Sequence, residues 1–231
     1  MKNGRRRFPV VQEHGAMSLL VQGYYAIVDV KGTSVDSPAA LAHARRLLAA
    51  RPCCLQLRAK QLPTGAFCRL AHEVRRICAE NTIPFCVNDR LDVALAVGAD
   101  MIHLGQSDLP LADAIRIRET LQTSRLAVGI STHDLAEAQA AAAGGADHIG
   151  FGPIFATQSK PDADPAVGLS ALRALAGRVK VPLVAIGGIT LDNVAQVAEA
   201  GASAAAVIAA VDNAADPTEA GRRIGAAFAR R

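Results

Sequence analysis

The chain has 231 residues, 51% hydrophobic and 20% charged, enough for one α/β domain with a sizeable core. Aromatic residues make up 3% and tryptophan is absent, which argues against a base-stacking surface for single-stranded nucleic acid. Of the net charge of +4, residues 1–22 carry +3 (Lys2, Arg5, Arg6 and Arg7 against Glu13), so a nucleic-acid or membrane reading of the folded part loses its support.

In the basic tail, Gln12, Glu13 and His14 interrupt any secretory apolar core after Arg5-Arg6-Arg7-Phe8, and Met17 offers a second start. No apolar run reaches the length of a transmembrane helix. A cytoplasmic protein is expected, with a disordered tail over 1–22 and one domain over 23–231. The five cysteines (Cys53, Cys54, Cys68, Cys78 and Cys86) form no Cys-x-x-Cys pair and read as reduced thiols, most of them buried.

From Gly23 onward strands and helices alternate. A strand at 24–30 precedes a helix at 38–50 with Ser37 as N-cap and Pro38 at its first position. A strand at 53–57 leads to a helix at 64–81 with Leu70, Val74 and Ile77 on one stripe. Then come a strand at 84–87, a helix at 90–97, a strand at 101–104, a helix at 111–121, a strand at 126–130 and a helix at 135–143. A strand at 147–151, a helix at 169–175, a strand at 182–186, a helix at 191–200, a strand at 204–208 and a helix at 217–230 complete the chain. Eight βα units predict a parallel sheet closed into a (β/α)8 TIM barrel in a single domain. An open doubly wound sheet is the alternative, weakened because no Gly-x-Gly-x-x-Gly follows the first strand.

In a barrel, polar residues at strand ends mark the site. Gln56, Arg58 and Lys60 share one strand face, with Leu55, Leu57 and Ala59 on the other against the helices. Two cations at the mouth call for an anion, unless Arg58 pairs with an acid on a neighbouring strand. Asn88-Asp89 ends the third strand, and Gln106-Ser107-Asp108 follows the fourth. The two aspartates suit magnesium, which takes one or two protein carboxylates plus phosphate oxygens and water. They equally suit ion pairs with Arg58 or Arg90, and Asp108 is also placed to cap the next helix.

Ser131 ends the fifth strand, either to contact a substrate or, with Asp134, to start a helix. His103 reads as an interior barrel residue ahead of a base. After the sixth strand, Gly152 and Pro153 break the chain into a loop with Thr157, Gln158, Ser159 and Lys160. Its hydroxyls and ammonium suit a phosphate, and a plain solvated loop is the alternative. Gly187-Gly188 after the seventh strand let backbone N–H groups approach a second anion. No Cys/His or Ser/His/Asp arrangement stands out, so the implied chemistry is electrostatic: cations on a leaving diphosphate.

Six motifs in register, Gln56–Lys60, Val87–Arg90, Ile102–Gln106 with Asp108, Gly129–Ser131, Gly150–Lys160 and Ala185–Ile189, resemble the thiamine-phosphate synthase family over 24–211. The resemblance implies a cytoplasmic magnesium-dependent transferase of thiamine biosynthesis. It would couple hydroxymethylpyrimidine diphosphate to a thiazole phosphate, giving thiamine monophosphate and diphosphate, with diphosphate leaving first. It further implies that Gln56, Arg58, Lys60, Asn88 and Lys160 hold the pyrimidine diphosphate and that Ser131 contacts the pyrimidine. Asp89 and Asp108 would take Mg2+, while Thr157, Gln158, Ser159, Gly188, Ile208 and Ala209 would take the thiazole phosphate. Arg58, Lys60, Ser131 and Lys160 are the expected catalytic set.

The family commonly has serine where this chain has Ala209, so weaker thiazole-phosphate binding is expected. The alternatives are a thiazole tautomerase of the same barrel family, with His133 as its acid or base, and a non-catalytic regulatory binding protein. The expected partners are small-molecule substrates, with no nucleic acid and no membrane, and a homo-oligomer is left open.

Overall fold

The computed structural model describes residues 10–13, 16–19, 21–123, 126–157 and 165–229. Strands β1 (Val10–Glu13) and β2 (Ala16–Leu19) pair antiparallel, so part of the 1–22 stretch expected to be disordered forms a hairpin. The chain then alternates through β3 (Gly23–Asp29), α1 (Ser37–Ala49), β4 (Cys54–Arg58), α2 (Thr64–Glu80), β5 (Phe85–Asn88) and α3 (Leu91–Val97). It continues through β6 (Met101–Leu104), α4 (Leu111–Thr120), β7 (Ala127–Thr132), α5 (Leu135–Ala143), β8 (His148–Phe151) and α6 (Gly168–Ala176). The last elements are β9 (Leu183–Ile186), α7 (Val194–Glu199), β10 (Ala204–Val207), α8 (Ala209–Asp212) and α9 (Pro217–Ala226).

Strands β3 to β10 form a closed parallel barrel in chain order, with β10 returning to β3 at Ala204↔Gly23. Closure excludes the open doubly wound sheet. The expected helical stripe is present: Leu70, Val74 and Ile77 of α2 are all buried. Truncating Leu70 or Ile77 to alanine would cost roughly 2–5 kcal/mol.

Two details differ from the sequence reading. Asp36 caps α1, in place of Ser37: its backbone is extended and its carboxylate accepts from Ala39 N at 3.2 Å, which puts Pro38 one residue further in. The short α8 was not foreseen, because four residues give no readable period.

Strand period two sorts the core into two layers. Outward residues such as Leu55, Leu57, Phe85, Val87, Ile149 and Phe151 pack into one continuous cluster with the helices. Inward residues Tyr25, Ile27, Cys54, Cys86, Met101, Val184, Ala204 and Ala206 form a second cluster inside the barrel. Along several strands the inward side changes character with height. Ile27 gives way to Asp29, Cys54 to Gln56 and Arg58, Cys86 to Asn88, and Met101 to His103. An apolar floor thus carries a polar mouth at the C-terminal ends of β3 to β8. All five cysteines are free thiols, with Cys54, Cys78 and Cys86 buried and the other two half-buried.

Candidate active site

The mouth is built from the ends of adjacent strands. Arg58, the last residue of β4, lies in register with Asp29 at the end of β3, and its Nη1 donates to Asp29 Oδ1 at 2.6 Å. Both side chains are largely shielded, so Arg58 does have the neighbouring-strand acid that was its alternative reading. The guanidinium carries five N–H donors, so this pairing is compatible with a second, anionic partner. Lys60 sits two residues beyond, exposed, with Nζ 3.5 Å from Asp89 Oδ2.

Asp89 follows β5 with φ at +65°, a left-handed conformation that L-residues rarely adopt and that concentrates at functional sites. Its N–H donates to His103 O at 2.8 Å, which ties the turn to β6. Asp108 turns back so that its Oδ2 accepts from Gly105 N at 2.7 Å. It therefore closes its own loop and does not cap α4, whose N-cap position is Pro110 with no side-chain bond. Arg90 is likewise occupied elsewhere, by Asp92 and by Thr64 Oγ1.

Burial, and then a hydrogen bond and repulsion from the Asp108 carboxyl, push the Asp89 carboxyl up to about 6, against the pull of Lys60 and Arg58. Two carboxyls pressed together in this way fit a hard divalent cation. No group of three or more metal-ligating side chains exists among the described residues. A cation at Asp89 and Asp108 would therefore draw its remaining ligands from substrate oxygens and water, which is magnesium's habit.

Gln56 and Asn88 lie just below, both almost fully buried. Gln56 Nε2 donates to Tyr25 Oη at 3.0 Å, and Tyr25 Oη donates to Cys86 Sγ at 3.4 Å. Ser131 is on β7 itself and starts no helix. Asp134 caps α5 by accepting from Glu137 N at 2.8 Å, and Glu137 Oε2 accepts from His133 N at 2.8 Å. Ser131 Oγ lies 2.9 Å from His103 Nε2, and its carbonyl accepts from Gln106 Nε2 at 2.6 Å. His103 points into the barrel as expected.

On the far side, the chain after β8 runs along β9. Ile154 N donates to Ile186 O and Phe155 N to Gly187 O, while Val167 and Gly168 return to Pro153 and Ile154. Thr157 is half-buried beside this crossing. Gln158, Ser159 and Lys160 lie outside the described residues. Gly187 and Gly188, both with positive φ, have a structural role beside the expected anion contact. A Cβ on them would come within 2.4 Å of Pro153 Cβ and 2.6 Å of Ala156 O, so they let two loops cross. Helix α7 begins only at Val194, too far on for its N-terminus to lie at Gly188. Ile208 is the N-cap residue of α8 and Ala209 its exposed first residue, so helix-start N–H groups lie after β10 instead.

Sequence reasoning missed Asp29, Tyr25 and His148. Asp29 was within reach, since it continues the inward row Tyr25, Ile27 on the strand beside Arg58. His148 gave no such signal, because an imidazole at the start of an apolar strand does not announce its partners.

A family model described as thiamine monophosphate synthase matches residues 24–211. The thiamine-phosphate synthase of Anaeromyxobacter dehalogenans is 46% identical over 188 residues, 81% of this chain and 82% of that protein. The one from Methanoregula boonei is 49% identical over 157 residues, 68% of this chain and 71% of its own. Among solved structures, a thiamine phosphate pyrophosphorylase from Pyrococcus furiosus superposes with a TM-score of 0.78 at 32% identity, covering 91% of this chain and 97% of that one. A 3-hexulose-6-phosphate synthase, at TM-score 0.67 and 22% identity, shares the fold.

Proposed function

The chain belongs to the thiamine monophosphate synthase family, and from that premise we propose how its mouth divides the work. The activity is that of a transferase: hydroxymethylpyrimidine diphosphate and a thiazole phosphate give thiamine monophosphate and diphosphate. The catalytic unit is the barrel over 23–231, acting in the cytoplasm on small-molecule substrates. No helix among the described residues is long and apolar enough to cross a membrane.

Arg58 and Lys60 hold the diphosphate from the β4 side, with Lys160 as a third cation from the loop after β8. Asp89 and Asp108 are the residues for Mg2+, which when bound adds positive charge to the leaving oxygens. Gln56, Asn88 and Ser131 orient the pyrimidine. As the carbon–oxygen bond to diphosphate breaks, negative charge grows on the leaving group where Arg58 and Lys60 already stand, so little reorganisation is needed. The thiazole nitrogen then bonds the pyrimidine methylene carbon. Thr157, Gln158, Ser159, Gly188, Ile208 and Ala209 hold the thiazole phosphate across the mouth.

The observation that carries this reading is the convergence of Arg58, Lys60, Asp89 and Asp108 at the ends of three adjacent strands. Purified protein given both substrates and magnesium should form thiamine monophosphate, and EDTA should abolish it. Equal product with EDTA would remove the metal from the scheme, and no product at all would overturn the coupling role.

A further inference from the structure

Three consecutive barrel strands contribute a chain of polar atoms beneath the mouth. Ser131 Oγ lies 2.9 Å from His103 Nε2, and His103 Nδ1 lies 3.2 Å from His148 Nε2. The chain ends at His148 Nδ1, which is buried without a hydrogen-bond partner. His103, Gly129 and His148 share one register row, and Ser131 and Gly150 share the row above. The two glycines make the space. A Cβ on Gly129 would fall 2.0 Å from the His148 ring, and one on Gly150 would fall 3.0 Å from His103 Cε1. The imidazoles therefore occupy volume that neighbouring side chains vacate, and their rings sit 5.3 Å apart.

His148 is fully buried, and desolvation lowers its pKa to about 4, so the ring is neutral at ordinary pH. Two neutral arrangements satisfy the row. In one, the Ser131 hydroxyl donates to His103, His103 Nδ1–H donates to His148, and an N–H is stranded at His148 Nδ1. In the other, His148 Nε2–H donates to His103 Nδ1 and His103 Nε2–H donates to Ser131 Oγ, so only a bare lone pair is stranded. A buried donor without an acceptor is the rarer defect. The second arrangement also gives both rings the Nε2–H tautomer that a free histidine side chain favours.

We propose that His148 is a positioning residue which, acting through His103, fixes the Ser131 hydroxyl as a donor facing the mouth. The ligand selected is then a pyrimidine that presents a ring-nitrogen acceptor to Ser131. This rests on the reading that Ser131 touches the pyrimidine.

The test combines spectroscopy and kinetics on the full chain. With 15N-labelled histidine, His103 and His148 should both carry their ring proton on Nε2, and a proton on His148 Nδ1 would overturn the proposal. His148→Phe, which keeps a ring in the cradle, should lower kcat/KM for the pyrimidine diphosphate about tenfold, the worth of one buried hydrogen bond. The KM for the thiazole phosphate should stay unchanged. His148→Gln, whose amide can still donate to His103, should recover most of the loss, and it covers the case in which the phenylalanine variant does not fold. The double variant with Ser131→Ala should be no slower than Ser131→Ala alone, and multiplicative losses would overturn the coupling. Ser131→Ala at full rate overturns the substrate contact itself. A slow Ser131→Ala beside unaffected His148 variants overturns only the positioning role.

Discussion

Asp29 and Arg58 face each other across the β3–β4 junction at 2.6 Å, and both are largely shielded from solvent. In the proposed mechanism the pair holds the guanidinium ready for the incoming diphosphate. Asp29→Ala should lower kcat/KM for the pyrimidine diphosphate by roughly tenfold or more, since a mispositioned clamp forfeits its orientation. It should also cost on the order of 1–3 kcal/mol of stability for the partner left unpaired. Denaturant unfolding and steady-state kinetics read the two effects separately. Unchanged kinetics with lost stability would make the pair structural only.

Asp108 has two attachments, its carboxyl neighbour Asp89 and the Gly105 N–H. Asp108→Ala should reduce kcat about 100-fold and raise the magnesium needed for half-maximal rate. Loss of the Gly105 bond costs about 1 kcal/mol, which for a chain of this size shifts Tm by about 2–4 °C. Full rate at low magnesium would remove Asp108 from the metal site.

Ala209 is the exposed first residue of α8. A hydroxyl at that position adds one donor to the helix-start N–H groups. Ala209→Ser should therefore lower the KM for the thiazole phosphate several-fold, as one added hydrogen bond to a charged group would. An unchanged KM would detach this residue from phosphate binding.

The buried His148 gives a pH signature. Its folded pKa of about 4 lies below the ordinary value of 6.5, so only the unfolded chain takes up the proton between them. Stability should fall as pH drops from about 6.5 toward 4, by on the order of 3 kcal/mol in total. Asp89, raised to about 6, acts with the opposite sign, because the folded state holds its proton longer. The difference between wild type and His148→Gln isolates the histidine, since Asp89 is common to both. A pH-independent difference would show that His148 titrates normally.

The barrel was legible because period two and eight repeats are redundant signals. Gln56, Arg58 and Lys60 were assigned to the mouth from one strand's alternation alone. The particular partners across strands were not read, because they depend on register. Arg58 was therefore given an unnamed acid on a neighbouring strand as its alternative partner, and nothing in the sequence paired Gly129 with His148. Gly187-Gly188 was read only in part for a related reason. Two glycines together signal close approach, and the sequence does not say that another loop is among the approaching groups.

The change of inward residues from apolar at the bottom to polar at the top separates two design problems by depth. Ile27, Met101, Val184, Ala204 and Ala206 lie a layer below the chemistry. An engineer can treat that layer as a thermostat, repacking it to raise or lower heat tolerance while the mouth keeps its substrate preference. The boundary runs through the Tyr25–Gln56 hydrogen bond. Above that line, changes that look conservative alter what the barrel accepts.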